Sequence, residues 1–384
     1  MMGNMTEIAA KLNSHTCILI IFLLVFSILK IFLNFDARRD QGTLLSKLKF
    51  DKNWENSQIQ RRNIIDDYCR EKGHGKVTDK PGEFEFTQSL LSKLDQNEKV
   101  SLIVLRPIKN FKILQCASPK TGTTSWQAAM VALEKNISME ELIKNDKNWA
   151  MHSHRYLKRL GKVVEKIEMN EGNENAKIDL LSKLSKSKKH IHVRHPFSRL
   201  YSCWKDKMHY WKEKPKSSKD EKTFIKKHNI EIDNYTEKWS TKISKYETQK
   251  SLKTKNKFNS TFSWEAFLKY VISREEINKH WYPINKICQP CLIKYDFVTK
   301  LESIEVDSEK VIEKFENIAT AGRLKIGKFP KANRSGKSQA GSSDVNPEVL
   351  SAFREIDKSM IRKLYDFYED DFLMFGYDVK SFLE

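Results

Sequence analysis

Residues 112–130, KILQCASPKTGTTSWQAAM, restrict the fold of this 384-residue chain more than any other stretch. An apolar run from Phe111 to Cys116 stops at Ser118-Pro119. A polar turn, Lys120-Thr121-Gly122-Thr123-Thr124, follows, and an apolar helical pattern resumes at Trp126, Met130 and Leu133. That order predicts a buried strand, a loop and a helix N-terminus. Backbone N–H groups and the positive end of the helix dipole would converge at Gly122–Ser125. Lys120 adds a full charge, Thr123, Thr124 and Ser125 add hydroxyls, and Gly122 lets the backbone approach a bulky anion. A Walker A loop is excluded, because the G-x-x-x-x-G-K-[ST] spacing is absent and the Lys precedes the Gly. Taken alone, the segment fits an ordinary strand–turn–helix connection better than a phosphate site.

A second segment has the same form. His190-Ile191-His192-Val193-Arg194 reads as a short strand, and Pro196 then opens an amphipathic helix through Phe197, Leu200, Tyr201 and Trp204. Arg194 falls at the turn and Ser202 two turns into the helix. An Arg there suits a second phosphate, which guanidinium grips bidentately, or equally a structural strand-end contact. Around these units the pattern predicts neighbouring strands at Ser101–Arg106 and Phe111–Cys116, a strand at Leu292–Tyr295, and Asp296 capping the next helix. Helices are expected over 124–135, 139–144, 263–273 with Ser263 as N-cap, 308–320, and from Asn346-Pro347 onward. The class is α/β, a parallel sheet flanked by helices, and no internal repeat is found.

Charge and hydropathy set the context. Lys and Arg number 69 against 50 acids, for a net charge of +19, which calls for a polyanionic partner. The excess is spread over many lysines rather than Arg-rich blocks, which weakens nucleic acid as that partner. Residues 205–257 hold sixteen Lys against eight acids. They read as a solvated insertion, or as a basic rim that gathers an acidic polymer. Residues 17–35 are apolar except for Ser27, Lys30 and Asn34, and span roughly 28 Å as a helix, about one hydrocarbon core. A membrane anchor is therefore expected there, with a tail of residues 1–16, a stem and lead-in helices over 36–100, and the main folded domain over 101–384. Arg38, Arg39, Lys47 and Lys49 follow the segment and only Lys11 precedes it, which by the positive-inside rule leaves the C-terminal bulk cytosolic. N-x-[ST] sequons at Asn136, Asn234, Asn259 and Asn333 point to the lumen instead. Composition leaves the topology open. Beyond Cys17 there are five cysteines, Cys69, Cys116, Cys203, Cys288 and Cys291, so at least one is unpaired. Cys288-Gln-Pro-Cys291 lacks a second C-x-x-C for zinc, which favours disulfide chemistry over a metal. His152 and His154, at i and i+2, share a face only if extended.

Taken together these segments resemble the Golgi carbohydrate sulfotransferases, the family that includes the chondroitin and dermatan 4-O-sulfotransferases. The resemblance rests on four motifs in order. They are Ser118-Pro119-Lys120-Thr121-Gly122-Thr123-Thr124-Ser125-Trp126; Val193-Arg194-His195-Pro196-Phe197-Ser198-Arg199-Leu200-Tyr201-Ser202; His280-Trp281-Tyr282-Pro283 with Cys288-Gln289-Pro290-Cys291 and Tyr295-Asp296-Phe297; and Asp371–Tyr377. Ser118 stands where the family usually has Cys, and His195 replaces a commoner acid.

The resemblance implies a P-loop-like sulfotransferase fold, a type II Golgi membrane protein with a lumenal catalytic domain, and 3′-phosphoadenosine 5′-phosphosulfate (PAPS) as donor, with no metal required. It implies a glycan acceptor, chondroitin first, in which the 4-OH of N-acetylgalactosamine receives the sulfuryl group. Pro119 and the Lys120–Ser125 loop would hold the 5′-phosphosulfate, with Lys120 catalytic, and Arg194 and Ser202 would hold the 3′-phosphate. A general base is expected at His154, with His152 and His280 behind it. A kinase-like reading lacks both a Walker A loop and a magnesium-binding acid after a strand. A catalytically inactive glycan binder of the same fold is opposed by Lys120, Arg194 and Ser202 all being present.

Overall fold

The computed structural model describes residues 51–73, 104–146, 153, 156–169, 174–209, 239, 241–249, 262–330 and 345–384. The chain divides into two compact units, 1–57 and 58–384, and the second carries all four motifs. In chain order the elements are α1 (51–71), β1 (Leu105–Ile108), β2 (Ile113–Cys116), α2 (Thr123–Lys135), α3 (Met139–Asn145), α4 (Leu160–Met169) and α5 (Glu174–Lys186). Then come β3 (Lys188–Val193), α6 (Pro196–Trp204), α7 (Trp264–Ser273), α8 (Ile284–Cys288) and β4 (Phe297–Lys300). The C-terminal helices are α9 (Ile304–Thr320), α10 (Pro347–Arg354), α11 (Lys358–Met374) and α12 (Lys380–Leu383). A π-helical turn, Lys205–His209, extends α6.

The four strands form one sheet in the order β1-β2-β3-β4. β2–β3 and β3–β4 are parallel, with Gln115 opposite His190 and His190 opposite Phe297. β1 runs antiparallel to β2, so the sheet is mixed rather than wholly parallel. The cause is local: Lys109, Asn110 and Phe111 all have positive φ (52°, 51° and 66°) and reverse the chain within a short turn. A parallel pairing needs a crossover of about a dozen residues or more. Such crossovers do separate β2 from β3 and β3 from β4. β2 is buried along its whole length, as an apolar central strand should be.

Several expectations shift. The first strand begins at Leu105, not Ser101; residues 101–103 lie outside the described set. Leu292–Tyr295 is not a strand. Leu292 and Ile293 both donate their amides to Gln289 O, a turn that delays the strand to Phe297. Asp296 therefore caps no helix. Its carboxylate accepts from the Lys189 amide (2.8 Å) and Lys188 Nζ (2.7 Å), clipping β4 to the start of β3. The cap at Ser263 forms as expected, accepting from the amide of Ala266, and Asn346, where a helix was expected to open, caps it by accepting from the amide of Glu348.

Two disulfides, Cys69–Cys291 and Cys116–Cys288, use the C-x-x-C pair, each cysteine with a distant partner, and leave Cys203 buried and reduced. Cys69 joins α1 to the loop before β4, and Arg61 on α1 reaches Val298 O (2.8 Å) and Asp307 (2.7 Å). Cys116 ties the end of β2 to α8. Among the described residues no helix is long and apolar enough to cross a membrane; the expected anchor at 17–35 lies outside them. The Lys-rich region falls inside them only at 205–209, 239 and 241–249.

Candidate functional site

The loop after β2 is tied together by its own side chains. Thr121 and Thr123 both donate hydroxyls to Ser118 O (2.6 and 2.5 Å), and Ser118 Oγ donates to His192 O on β3 (3.0 Å). His192 Nδ1 bonds the Thr121 oxygen. Burial holds His192 far below the ordinary histidine pKa, at about 3, so it is a neutral core residue under Trp126. Lys120 and Gly122 take positive φ (70° and 83°). Gly122 is required twice over: its backbone is left-handed, and a Cβ there would lie 3.0 Å from Leu301 Cδ1. Gly122 opens α2 without a side-chain cap, which leaves the helix end to a ligand. Of the expected hydroxyls, that of Thr123 serves the loop itself, as does the Thr121 hydroxyl, and Ser125 is buried. Thr124 and Pro119 are half-buried at the loop surface.

Arg194 lies at the end of β3, as read from the sequence, and donates Nη1 to Lys120 O (3.2 Å). Burial lowers its pKa, opposed by Glu302 and Tyr377 beside it. Glu302 accepts from the His195 amide and the Tyr377 hydroxyl, both at 2.9 Å, which places the Asp371–Tyr377 motif behind the second turn. Ser202 is half-buried on α6. Thus β2 and β3, adjacent and parallel, deliver Lys120 and Arg194 to the same end of the sheet. Asp371 of the last motif accepts the amides of Ile284 (2.6 Å) and Asn285 (2.7 Å), holding the N-terminus of α8 just beyond His280.

Sequence reasoning gave no role to Arg199 and did not single out Asp206. Arg199 is 1% exposed and donates to three carbonyls: Pro119 (3.0 Å), Tyr282 (2.8 Å) and Lys279 (2.8 Å). It pins the loop to the His280-Trp281-Tyr282-Pro283 segment. An Arg on the face of α6 that also carries Pro196, Phe197, Leu200 and Tyr201 was the available signal. Asp206, in the π-turn, accepts Lys120 Nζ (2.8 Å) and Lys207 Nζ (3.3 Å) on the same oxygen, Oδ2. Burial opposes its ionisation, but the two ammonium groups outweigh that and hold its carboxyl below the usual range. It was hidden in a stretch read for its lysines.

His280 sits in the same field. Burial first, then Lys207, Lys279 and Lys120, push its pKa well below the ordinary value, against Asp206. Its Nδ1 is buried and has no partner among the described residues. His152 and His154 lie outside the described residues. Ser153 between them is helical rather than extended and donates to Gln127 of α2 (3.3 Å). The donor set suits a phosphorylated, sulfated nucleotide: two ammonium groups on one oxygen, a guanidinium across the loop, and a helix end that admits only glycine. Among the described residues no His/Cys/Asp/Glu group is arranged to hold a metal.

Comparison with known proteins bears on the family of the chain. The family model described as "Sulfotransferase family" matches residues 108–378. Carbohydrate sulfotransferase 11 of Mus musculus is 26% identical over 281 residues, covering 72% of this chain and 67% of its own. Carbohydrate sulfotransferase 9 of Homo sapiens is 25% identical over 353 residues, covering 90% of this chain and 66% of its own. Carbohydrate sulfotransferase 10 of Rattus norvegicus is 27% identical over 287 residues, covering 71% and 66%. The chain thus spans about two thirds of the length of these relatives. No solved structure matches it. The match runs from the end of β1 to the last motif and contains both turns that carry Lys120 and Arg194, so the chain belongs to the sulfotransferase family.

Proposed function

We propose that the protein moves the sulfuryl group of PAPS to a sugar hydroxyl, the 4-OH of N-acetylgalactosamine in chondroitin, as a type II Golgi membrane protein. Residues 17–35 would anchor it and the catalytic domain would face the lumen. One observation carries the reading: the Lys120 and Lys207 ammonium groups converge on one carboxylate oxygen beside the open end of α2, with Arg194 across the loop. Such convergence fits a site that neutralises several anionic oxygens. The relatives are carbohydrate sulfotransferases by name, which supports a sugar acceptor.

The bound donor supplies an electrophilic sulfur and a phosphate leaving group. The amides at the start of α2 hold the 5′-phosphate, with Thr124 at the surface beside them. Lys120 neutralises the charge that grows on the bridging oxygen, a contribution worth most where water is excluded. Arg194 and Ser202 take the 3′-phosphate from the neighbouring strand end. A neutral histidine takes the proton of the attacking hydroxyl. The sequence assigns that base to His154, with His152 beside it. His280, also behind His154 in that order, is kept neutral by burial and by three lysines, Lys120 among them.

Incubating the full chain with 35S-labelled PAPS and a panel of desulfated glycosaminoglycans tests the proposal. Label on the 4-OH of N-acetylgalactosamine in desulfated chondroitin is expected. Donor binding without transfer to any glycan would favour an inactive glycan-binding protein instead. His154→Ala and His280→Ala are then compared by pH–rate profile: the variant that loses the acidic limb has lost the base.

A further inference from the structure

On the β1 side of the phosphate loop, away from Arg194, the structure gathers positive charge that has no counter-ion among the described residues. Arg106 projects from β1, 8% exposed; it donates Nη1 to Leu157 O (3.0 Å), and its Nε is buried without a partner among the described residues. Arg159 lies two residues beyond that carbonyl, at the start of α4, which packs on β1. Lys279 is fixed from the other direction, because Arg199 binds both its carbonyl and that of Pro119 in the phosphate loop. Burial first, and then the charges of Arg159, Arg106 and Lys207, bring the Lys279 pKa down to about 8. Among the described residues neither Lys279 nor Arg159 has an acid beside its charged group.

A buried guanidinium with an unused N–H is costly unless an anion completes it. The donor's 3′-phosphate is not that anion. The sheet order β1-β2-β3-β4 puts Arg194 and Arg106 on opposite flanks of the loop that follows β2. Lys207, which shares the Asp206 oxygen with Lys120, links this cluster to the transfer centre, and His280 feels both. The cluster therefore lies where the acceptor chain would pass.

We propose that Arg106, Arg159 and Lys279 form a carboxylate-binding subsite that reads the uronate next to the accepted sugar. This rests on the proposed sulfuryl transfer and adds a specificity element to it: the acceptor is anionic because the site requires it. A guanidinium fork with an ammonium beside it matches the planar, bidentate geometry of a carboxylate.

The test compares desulfated chondroitin with the same polymer after its carboxylates are reduced to primary alcohols, using the full-length chain and PAPS. The wild type is expected to favour the carboxylated polymer by about 10- to 100-fold in kcat/KM. Lys279→Ala and Arg159→Ala should each cut that preference at least severalfold while turnover of the reduced polymer persists. Lys144→Ala, an exposed lysine on α3, should leave the ratio unchanged, which separates a subsite from the general attraction of a basic surface. Equal use of both polymers by the wild type would overturn the subsite and leave sulfuryl transfer standing. A loss of 3′-phosphoadenosine 5′-phosphate affinity in Lys279→Ala by tenfold or more would overturn it too, by assigning the cluster to the donor. If neither polymer accepts label, the transfer reading fails. Calorimetric binding of the two polymers then decides the subsite by itself: tighter binding of the carboxylated form, abolished in Lys279→Ala, supports it, and equal binding refutes it.

Discussion

Replacing Arg199 with Met keeps the aliphatic stem and removes the charge, and its consequences follow from three bonds. The guanidinium is buried and donates to the carbonyls of Pro119, Tyr282 and Lys279 at 3.0, 2.8 and 2.8 Å. Hydrogen bonds to a charged group contribute about 1.5–3 kcal/mol each, so the gross loss is about 5–9 kcal/mol. Against it stands the cost of keeping a guanidinium out of water, which Met no longer bears. A net loss of about 3–5 kcal/mol is expected, because three carbonyls are left without a donor at about 1–3 kcal/mol each. At roughly 2 °C per kcal/mol for a domain of this size, the melting temperature should fall by about 6–10 °C. The same bonds hold the phosphate loop against the His280 segment, so donor-product affinity, read by calorimetry below the new melting temperature, should weaken about tenfold or more. Differential scanning calorimetry and the titration together check the reasoning. A variant that melts within 2 °C of wild type and binds 3′-phosphoadenosine 5′-phosphate normally would refute it.

Three further outcomes are expected. Gly122→Ala places a Cβ 3.0 Å from Leu301 at φ 83°. It should cost about 1–3 kcal/mol in urea unfolding and also weaken donor binding, because the strained turn is the one proposed to hold the donor. Asp206→Asn removes the carboxylate that competes for Lys120; since Asp206 is 47% exposed, the gain is that of a screened pair, about two- to fivefold tighter binding of 3′-phosphoadenosine 5′-phosphate at low salt. Weaker binding would instead make Asp206 a residue that positions Lys120. Burial first, and then Arg159, Arg106 and Lys207, lower the folded-state pKa of Lys279 to about 8. The folded protein thus releases this proton before the unfolded chain does, and the group's contribution to stability rises with pH from about 8 to its ordinary value. Affinity for an acidic acceptor runs the other way, falling about tenfold between pH 7.5 and 9 as the ammonium is lost. The carboxyl-reduced polymer should show no such fall.

Much of this site was legible because its parts are local. A strand, a Gly-containing turn and a helix lie within twenty residues at 112–130, and their periodicities and breakers mark all three. The cap at Ser263 and the helix start at Asn346-Pro347 are equally local and form where read. What failed was either unmarked by residue type or non-local. The antiparallel set of β1 follows from three consecutive positive-φ residues, Lys109 to Phe111, none of them glycine, so no residue type announced the turn. The last strand moved from 292–295 to 297–300 because pairing with β3 and the Gln289 turn overrode an apolar run. Asp206 and Arg199 were missed for a related reason. Each acts on groups about eighty residues away, and only the fold brings those within 3 Å. The pairing of Cys116 with Cys288 and Cys69 with Cys291 could not be chosen from spacing among five cysteines.

The central claim is that Lys120 stabilises the leaving group of a sulfuryl transfer while the rest of the site binds the donor. Single-turnover transfer of 35S from saturating PAPS to desulfated chondroitin, in wild type and in Lys120→Ala, tests it most directly. The account predicts a loss of about 100- to 1000-fold in the rate of the chemical step, with the melting temperature unchanged. A Lys120→Ala protein that transfers label within threefold of the wild-type rate would contradict it.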